Sequence, residues 1–545
     1  MRALSSRRDD MRFVVVGLLG FIAPFWWGCS GGEGSPQGAS IAYNLGTEPA
    51  TLDPAKSTGV PEAVVILNMI EGLVTMGPDN QAVPALARSW DVTSDGLTYT
   101  FHLREAQWSN GDPIVAADFA TQWLRVLDPQ TASDYAYQLY YIAGARDYHQ
   151  GLTSDTAAIA IRAVDERTLR VGLASPTPYF APMLAHTVFC PFHRASAGAG
   201  PRQWREQPST YLCSGPFRLK QWLSHDRIVL EKNPRYWDAG AVRLDEITLL
   251  MIEKESSALA AFESGQLDVM DRPPLSAIER LKQEGRLRFT PLIGTYFVSF
   301  NCRVKPFDDV RVRRAFALAI DRANIARFIT RAGEIPAMAF VPTGIKDAGG
   351  LREFRDAGGD YFTDANYGEA RRLLSEAGYP QGQNLPRIEY LYNTKEGHQI
   401  IAQEFQQRWQ KELGVHVELV NAEWKVYLAR KQAGEYQIAR GAWVGDYPDP
   451  MTFLETYATD SENNNSFWSN PAYDALLEAA KKELDPVRRM GMLHEAESLM
   501  MQEMPLAPVY FYTQPYLEKP EIEGIQRTAL GYVYFKNARR AGNGG

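Results

Sequence analysis

The stretch that most restricts the fold is a helical pattern followed at once by a strand pattern. Ile401, Phe405, Trp409 and Leu413 recur at four-residue steps, Gly414 supplies a stop, and Val415, Val417 and Leu419 then alternate with His416 and Glu418. Helix-to-strand units of this kind wind a mixed or parallel sheet, because parallel neighbours need a crossover. Similar units are read around Ala370 to Gly378, and around Asp474 to Glu483 before a helical run from Val487 to Met504. Another helix spans Asp308 to Arg322, with Val312, Phe316 and Ile320 on one face and Arg311, Arg313 and Arg314 read as a solvated basic face. The first half of the chain is β-rich instead. Leu97, Tyr99, Phe101 and Leu103 alternate with Thr98, Thr100 and His102, and turn residues stand on both sides, at Ser94-Asp95-Gly96 and Ser109-Asn110-Gly111-Asp112-Pro113. The expected class is therefore α/β.

At 545 residues the chain is too long for one ordinary core, so two or three domains are expected. A formal charge of −8 with no basic block argues against a nucleic-acid partner. The chain has four cysteines but no CxxC and no His/Cys cluster, so neither a structural metal nor another cofactor is expected. Cys190 and Cys213 sit in similar contexts, ahead of Pro191-Phe192 and Ser214-Gly215-Pro216-Phe217, and a disulfide between them is one expectation. Cys302 would then be a lone thiol.

The leader says where the chain goes. Arg2, Arg7, Arg8 and Arg12 precede an apolar run from Phe13 to Trp27, broken by Pro24 and too short to span a membrane comfortably, which fits an export signal. Gly28-Cys29 after that run resembles the lipobox of bacterial lipoproteins, where a small residue precedes an acylated cysteine; the tryptophans 26 and 27 depart from the pattern. A plain signal peptide with an incidental cysteine is the competing reading. Residues 30–40, rich in Gly and Ser, read as a flexible tether. Without residues 1–28 the chain keeps 53 basic and 63 acidic residues, a net of −10.

Several stretches occur together: Pro84-Ala85-Leu86-Ala87-Arg88-Ser89-Trp90, then Gly96 to Arg104, Gly215-Pro216-Phe217, Asn233-Pro234-Arg235-Tyr236-Trp237, Pro306 to Ala315 with Ala319-Ile320-Asp321-Arg322, and Ala377-Gly378-Tyr379-Pro380. In this order they resemble the extracytoplasmic solute-binding proteins of peptide and nickel ABC importers, family 5, over about residues 41–530. The resemblance implies a two-lobed periplasmic-binding-protein clamshell of type II with an extra third domain. Its parts would be a signal peptide at 1–28, a tether at 29–40, lobe I at 41–70, 196–296 and 514–545, the extra domain at 71–195, and lobe III at 297–513. It also implies a monomer in the periplasm or cell envelope, held to a membrane by a lipid on Cys29, whose partners are short peptides and the importer's permease.

The same resemblance supplies site residues. Asp446, in Arg440-Gly441-Ala442-Trp443-Val444-Gly445-Asp446-Tyr447, falls on the aspartate that takes the peptide's α-amino group; Asp449 is the rival acid. An ammonium withdrawn from water needs such a partner. Lys431, Arg440 and His398 match basic positions for the peptide carboxylate, although Lys431 replaces an arginine and so loses the bidentate fork. Trp424, Trp443 and Tyr135 match cleft aromatics. Main-chain pairing is expected along Ala442 to Val444 and along Gly59 to Glu62, with Val60 and Glu62 as contacts, in the manner of strand addition. Oligopeptide binders can carry a disulfide where Gly294 and Val444 stand here, so that bridge is excluded. A secreted hydrolase is the alternative from another class, but no GxSxG, HExxH or Walker loop occurs. A non-peptide solute on the same scaffold is the other alternative.

Overall fold

A computed structural model describes residues 39–541. The leader, Cys29 and nearly all of the tether lie outside the described residues. Among the described residues no helix is long and apolar enough to cross a membrane.

The chain begins with β1 (Ser40–Asn44) and α1 (Val60–Met69). A small antiparallel sheet follows, made of β2 (Ala87–Val92), β3 (Thr98–Leu103), β4 (Ile161–Asp165) and β5 (Thr168–Gly172) in the order β2-β3-β5-β4, with α2 (Ala116–Leu127) against it. The alternation read in the sequence is the burial pattern of β3: Tyr99, Phe101 and Leu103 are buried and the residues between them are not.

The large sheet takes up the rest. Its strands are β1, β6 (Phe217–Leu223), β7 (Arg227–Lys232), β8 (Glu246–Leu250), β9 (Val269–Asp271), β10 (Arg288–Phe300), β11 (Ile388–Asn393), β12 (Val417–Ala422), β13 (Ile438–Val444) and β14 (Leu506–Glu518). They lie in the order β12-β11-β13-β10-β14-β9-β1-β8-β7-β6, with the short Ile335–Pro336 strand beside β14. Two 13-residue strands, β10 and β14, join the halves of this sheet. Their antiparallel pairing shifts register between Pro291 and Thr295. There Ile293 is held from outside the pair: its N–H donates to the Ala529 carbonyl at 2.6 Å, and its carbonyl accepts from the Gly445 N–H at 2.8 Å.

The second half contributes helices α3 (Val310–Leu318), α4 (Tyr367–Glu376), α5 (Glu396–Leu413), α6 (Trp424–Gln432), α7 (Pro471–Lys482) and α8 (Pro486–Glu503). In α5 the expected stripe of Ile401, Phe405, Trp409 and Leu413 is buried, and the Trp409 indole donates to the Phe316 carbonyl at 3.0 Å. Gly414 ends the helix at φ +70°, where a Cβ would also strike the Gln381 carbonyl. One expectation fails in α3: Arg313 is buried, not solvated, and donates to the Glu503, Met504 and Phe307 carbonyls. The unsatisfied carbonyls at the end of α8 explain its direction, because a helix C-terminus attracts a cation.

The expected disulfide is absent. Cys190 and Cys213 are free thiols, both buried, and burial pushes each pKa up to about 12. Each packs as a small apolar side chain, with Cys213 Sγ turned to the Tyr211 carbonyl.

Candidate binding site

Strand β13 carries the site because one of its edges is half empty. On one side it pairs with β10 along its whole length, from Gly294↔Val444 to Phe300↔Ile438. On the other side parallel β11 covers only Ile438 and Ala439, so among the described residues no strand pairs with that edge from Arg440 to Val444, although the Tyr427 hydroxyl donates to the Arg440 carbonyl. The close approach of Phe297 fixes this stretch: a Cβ on Gly441 would lie 2.1 Å from the phenyl ring. Gly294 and Val444 stand opposite each other, where a bridge would have needed two cysteines.

Beside this edge lies a cavity of about 260 Å³ between β13 and α6. Five of the residues expected at the site meet there: Trp424, Lys431, Arg440, Ala442 and Trp443. Arg440 donates from Nη2 to the Tyr512 hydroxyl at 3.0 Å, and its guanidinium lies 5.0 Å from the Tyr296 ring centre; its buried Nε has no acceptor. The Trp443 indole N–H is likewise buried without an acceptor. Burial, with the Arg440 charge second, lowers the Lys431 pKa to about 8, which still leaves it mostly protonated at neutral pH. The surroundings of His398 disfavour its charged form. Burial first, then the charges of Arg440 and Lys395, hold its pKa down at about 3, so it can offer only a neutral imidazole.

Past the end of β13 the chain turns, and Asp446 stands in the turn. Its N–H donates to Thr452 Oγ1 at 3.1 Å, and its Oδ2 accepts from Gln138 Nε2 at 2.9 Å and from the Tyr137 hydroxyl at 3.4 Å. Burial and the neighbouring Glu455 carboxylate raise its pKa to about 7, against the Gln138 and Tyr137 hydrogen bonds. Glu455 is itself held by the Tyr141 and Tyr447 hydroxyls at 2.8 and 2.6 Å, and burial raises its pKa too. The rival acid is already engaged: buried Asp449 takes both terminal nitrogens of Arg489, each at 2.8 Å. Tyr135 joins the Asp446 end, stacked 5.6 Å from Tyr137 and 4.7 Å from His186.

Val60 and Glu62 are not brought to this edge as strand residues. They open α1 instead, with Pro61 in its first turn; Val60 is exposed, and the buried Glu62 carboxylate folds back to accept the Ala50 N–H at 2.7 Å. Gln138, Tyr137, Glu455 and the tyrosines around Arg440 were not foreseen. They come from remote segments and carry no local pattern that could have announced them.

The profile of the family described as "Bacterial extracellular solute-binding proteins, family 5 Middle" matches residues 81–465. The chain belongs to this family. The family-5 protein is similar to the oligopeptide-binding protein OppA of Bacillus subtilis, 36% identical over 522 residues that cover 93% of this chain and 94% of the relative. It is also 35% identical over 503 residues, 91% and 92% of the two chains, to an Escherichia coli relative named "Probable deoxycholate-binding periplasmic protein YgiS". Among solved structures it resembles Haemophilus influenzae OppA in complex with the peptide RPPGFSPFR, with a TM-score of 0.78, 31% identity, and coverage of 93% of this chain and 99% of that one. The family-5 fold is the two-lobed α/β fold of these periplasmic binding proteins. Its members bind solutes, and the relatives' names span peptides and a bile acid, so the side chains must decide the ligand.

Proposed function

We propose that this family-5 protein is the peptide-binding component of an ABC importer, holding short peptides in extended form between its lobes and delivering them to the permease. The observation that carries this reading is the polarity of β13: an acid without a cationic partner at one end, cations without acids at the other, and an unpaired edge between them. The α-ammonium would sit on Asp446 and the terminal carboxylate on Arg440, while the main chain would bond to the 440–444 edge. From Arg440 to the end of β13 at Val444 the strand rises roughly 13 Å, with Asp446 in the turn beyond it, a span that suits a short peptide. A bile acid has a carboxylate but no amine and would leave Asp446 unanswered.

The lobes are assigned as 41–70 with 196–296 and 514–545, and 297–513, with 71–195 as the extra domain. Both crossings then fall within β10 and β14. We further assign export, lipid attachment at Cys29 and action as a monomer; Cys29→Ser should release the protein from membranes, and unchanged membrane association would refute the anchor.

Native mass spectrometry of residues 30–545 from an export-competent host tests the ligand. A ladder of short-peptide masses is expected. A single non-peptide mass, or an empty protein indifferent to a peptide library, would overturn the reading.

A further inference from the structure

The cavity wall holds more positive charge than one peptide terminus can answer. Elsewhere in this fold deeply buried guanidiniums meet carboxylates: Arg489 meets Asp449, Arg355 meets Glu497, and Arg322 meets Asp364. Arg440 does not, and neither does its neighbour Lys431. Among the described residues Lys431 Nζ makes no hydrogen bond and no ion pair, and it lies 5.7 Å from the centre of the Tyr427 ring. The one carboxylate lining the cavity is Glu462, exposed on the 458–470 loop and not within ion-pair distance of either cation. Lys431 is half-buried, and a ligand that closed over it with its one carboxylate on Arg440 would withdraw this cation from water without an anion, which is costly.

The unused donors point the same way. Arg440 Nε and Trp443 Nε1 are buried without acceptors, on opposite faces of β13, and Lys431 adds an ammonium to the lining of the same cavity. A carboxylate offers about four acceptor sites, so one terminal carboxylate and one side-chain carboxylate could use donors that a neutral side chain would leave idle. The cavity, about 260 Å³, has room beyond the peptide main chain.

We propose that the cavity between β13 and α6 is a subsite for an acidic side chain, so that this protein prefers peptides carrying an aspartate or glutamate near the carboxyl end. Arg440 takes the terminal carboxylate and Lys431 the side-chain one. This rests on the peptide reading and gives it a substrate class.

Calorimetry with isosteric tripeptides tests it: Ala-Ala-Glu against Ala-Ala-Gln, Ala-Glu-Ala against Ala-Gln-Ala, and Ala-Ala-Lys as the charge-reversed control. The glutamate peptide should bind at least about tenfold more tightly than its glutamine partner in one of the pairs, and the lysine peptide more weakly than either. Lys431→Gln, checked for folding by its Tm, should cut that glutamate-to-glutamine ratio by about tenfold, whatever it does to overall affinity. Ratios within about twofold of unity in both wild-type pairs overturn the acidic preference while leaving peptide binding intact. A ratio that survives Lys431→Gln overturns the role of Lys431. Failure of every tripeptide to bind sinks the peptide reading and this subsite together.

Discussion

At the scale of single residues, two aspartates three positions apart do opposite work. Asp449 is tied to a buried arginine, so Asp449→Asn strands a guanidinium and should destabilise the fold by about 3–5 kcal/mol, read by chemical denaturation. Asp446 has no cation and a pKa raised to about 7 from an ordinary 3.8. Below about pH 4 it is protonated folded or unfolded; between 4 and 7 it ionises in the unfolded chain alone, and above 7 its full cost stands. Asp446→Asn should therefore raise the Tm of the empty protein at pH 8 and leave it unchanged near pH 3.5. An ammonium recruits the charged form, so affinity for free-amine peptides should fall roughly five- to tenfold from pH 7.5 to 6, while N-acetylated peptides bind poorly and without that slope. A flat profile for the free-amine peptides would remove Asp446 from amine recognition. The sequence made Asp446 visible only through a resemblance, and nothing near Asp449 announced that its rival carboxylate is taken by an arginine forty residues away. The protonation of His398 was illegible for a related reason: burial and neighbouring cations, which no local pattern reports, push its pKa down.

Among the elements, periodic ones were readable and pairings were not. The buried stripe of α5 and the alternation of β3 follow from spacing alone, since a period of 3.6 or 2 fixes which side chains share a face. Nothing local showed that β11 would stop after covering two residues of β13, and that early stop is what frees the edge. The Gly59–Glu62 segment was misread because a proline in a first helical turn is as compatible with a helix as with an extended edge. Gly441 is where β13 is most confined. Gly441→Ala should push the Phe297 ring out of place, costing about 1–3 kcal/mol by denaturation and weakening peptide binding, whereas Val444→Ala at the exposed end of the strand should alter stability little. Equal stability of the two variants would mean that the ring moves aside freely.

For the whole molecule, the solute-binding role of the family is served by a sheet whose halves, among the described residues, are joined through β10 and β14. A ligand touching both lobes favours the closed form by its differential affinity for it. Saturating peptide at about one hundred times Kd should add roughly 2.7 kcal/mol to stability and shrink the radius of gyration in X-ray scattering. Gln138→Ala, which deletes the amide now on Asp446, should enlarge the empty protein; no change in size would show that this contact does not help hold the lobes together. The Ile293 irregularity gives this motion a particular economy. Its carbonyl is bonded to Gly445, the residue before Asp446, so under the proposed reading the acid that would take the amine is fastened directly to β10, the strand in which the lobes would cross. In a machine built that way no rod or gear has to relay the grip to the jaws, because trigger and axle are one part.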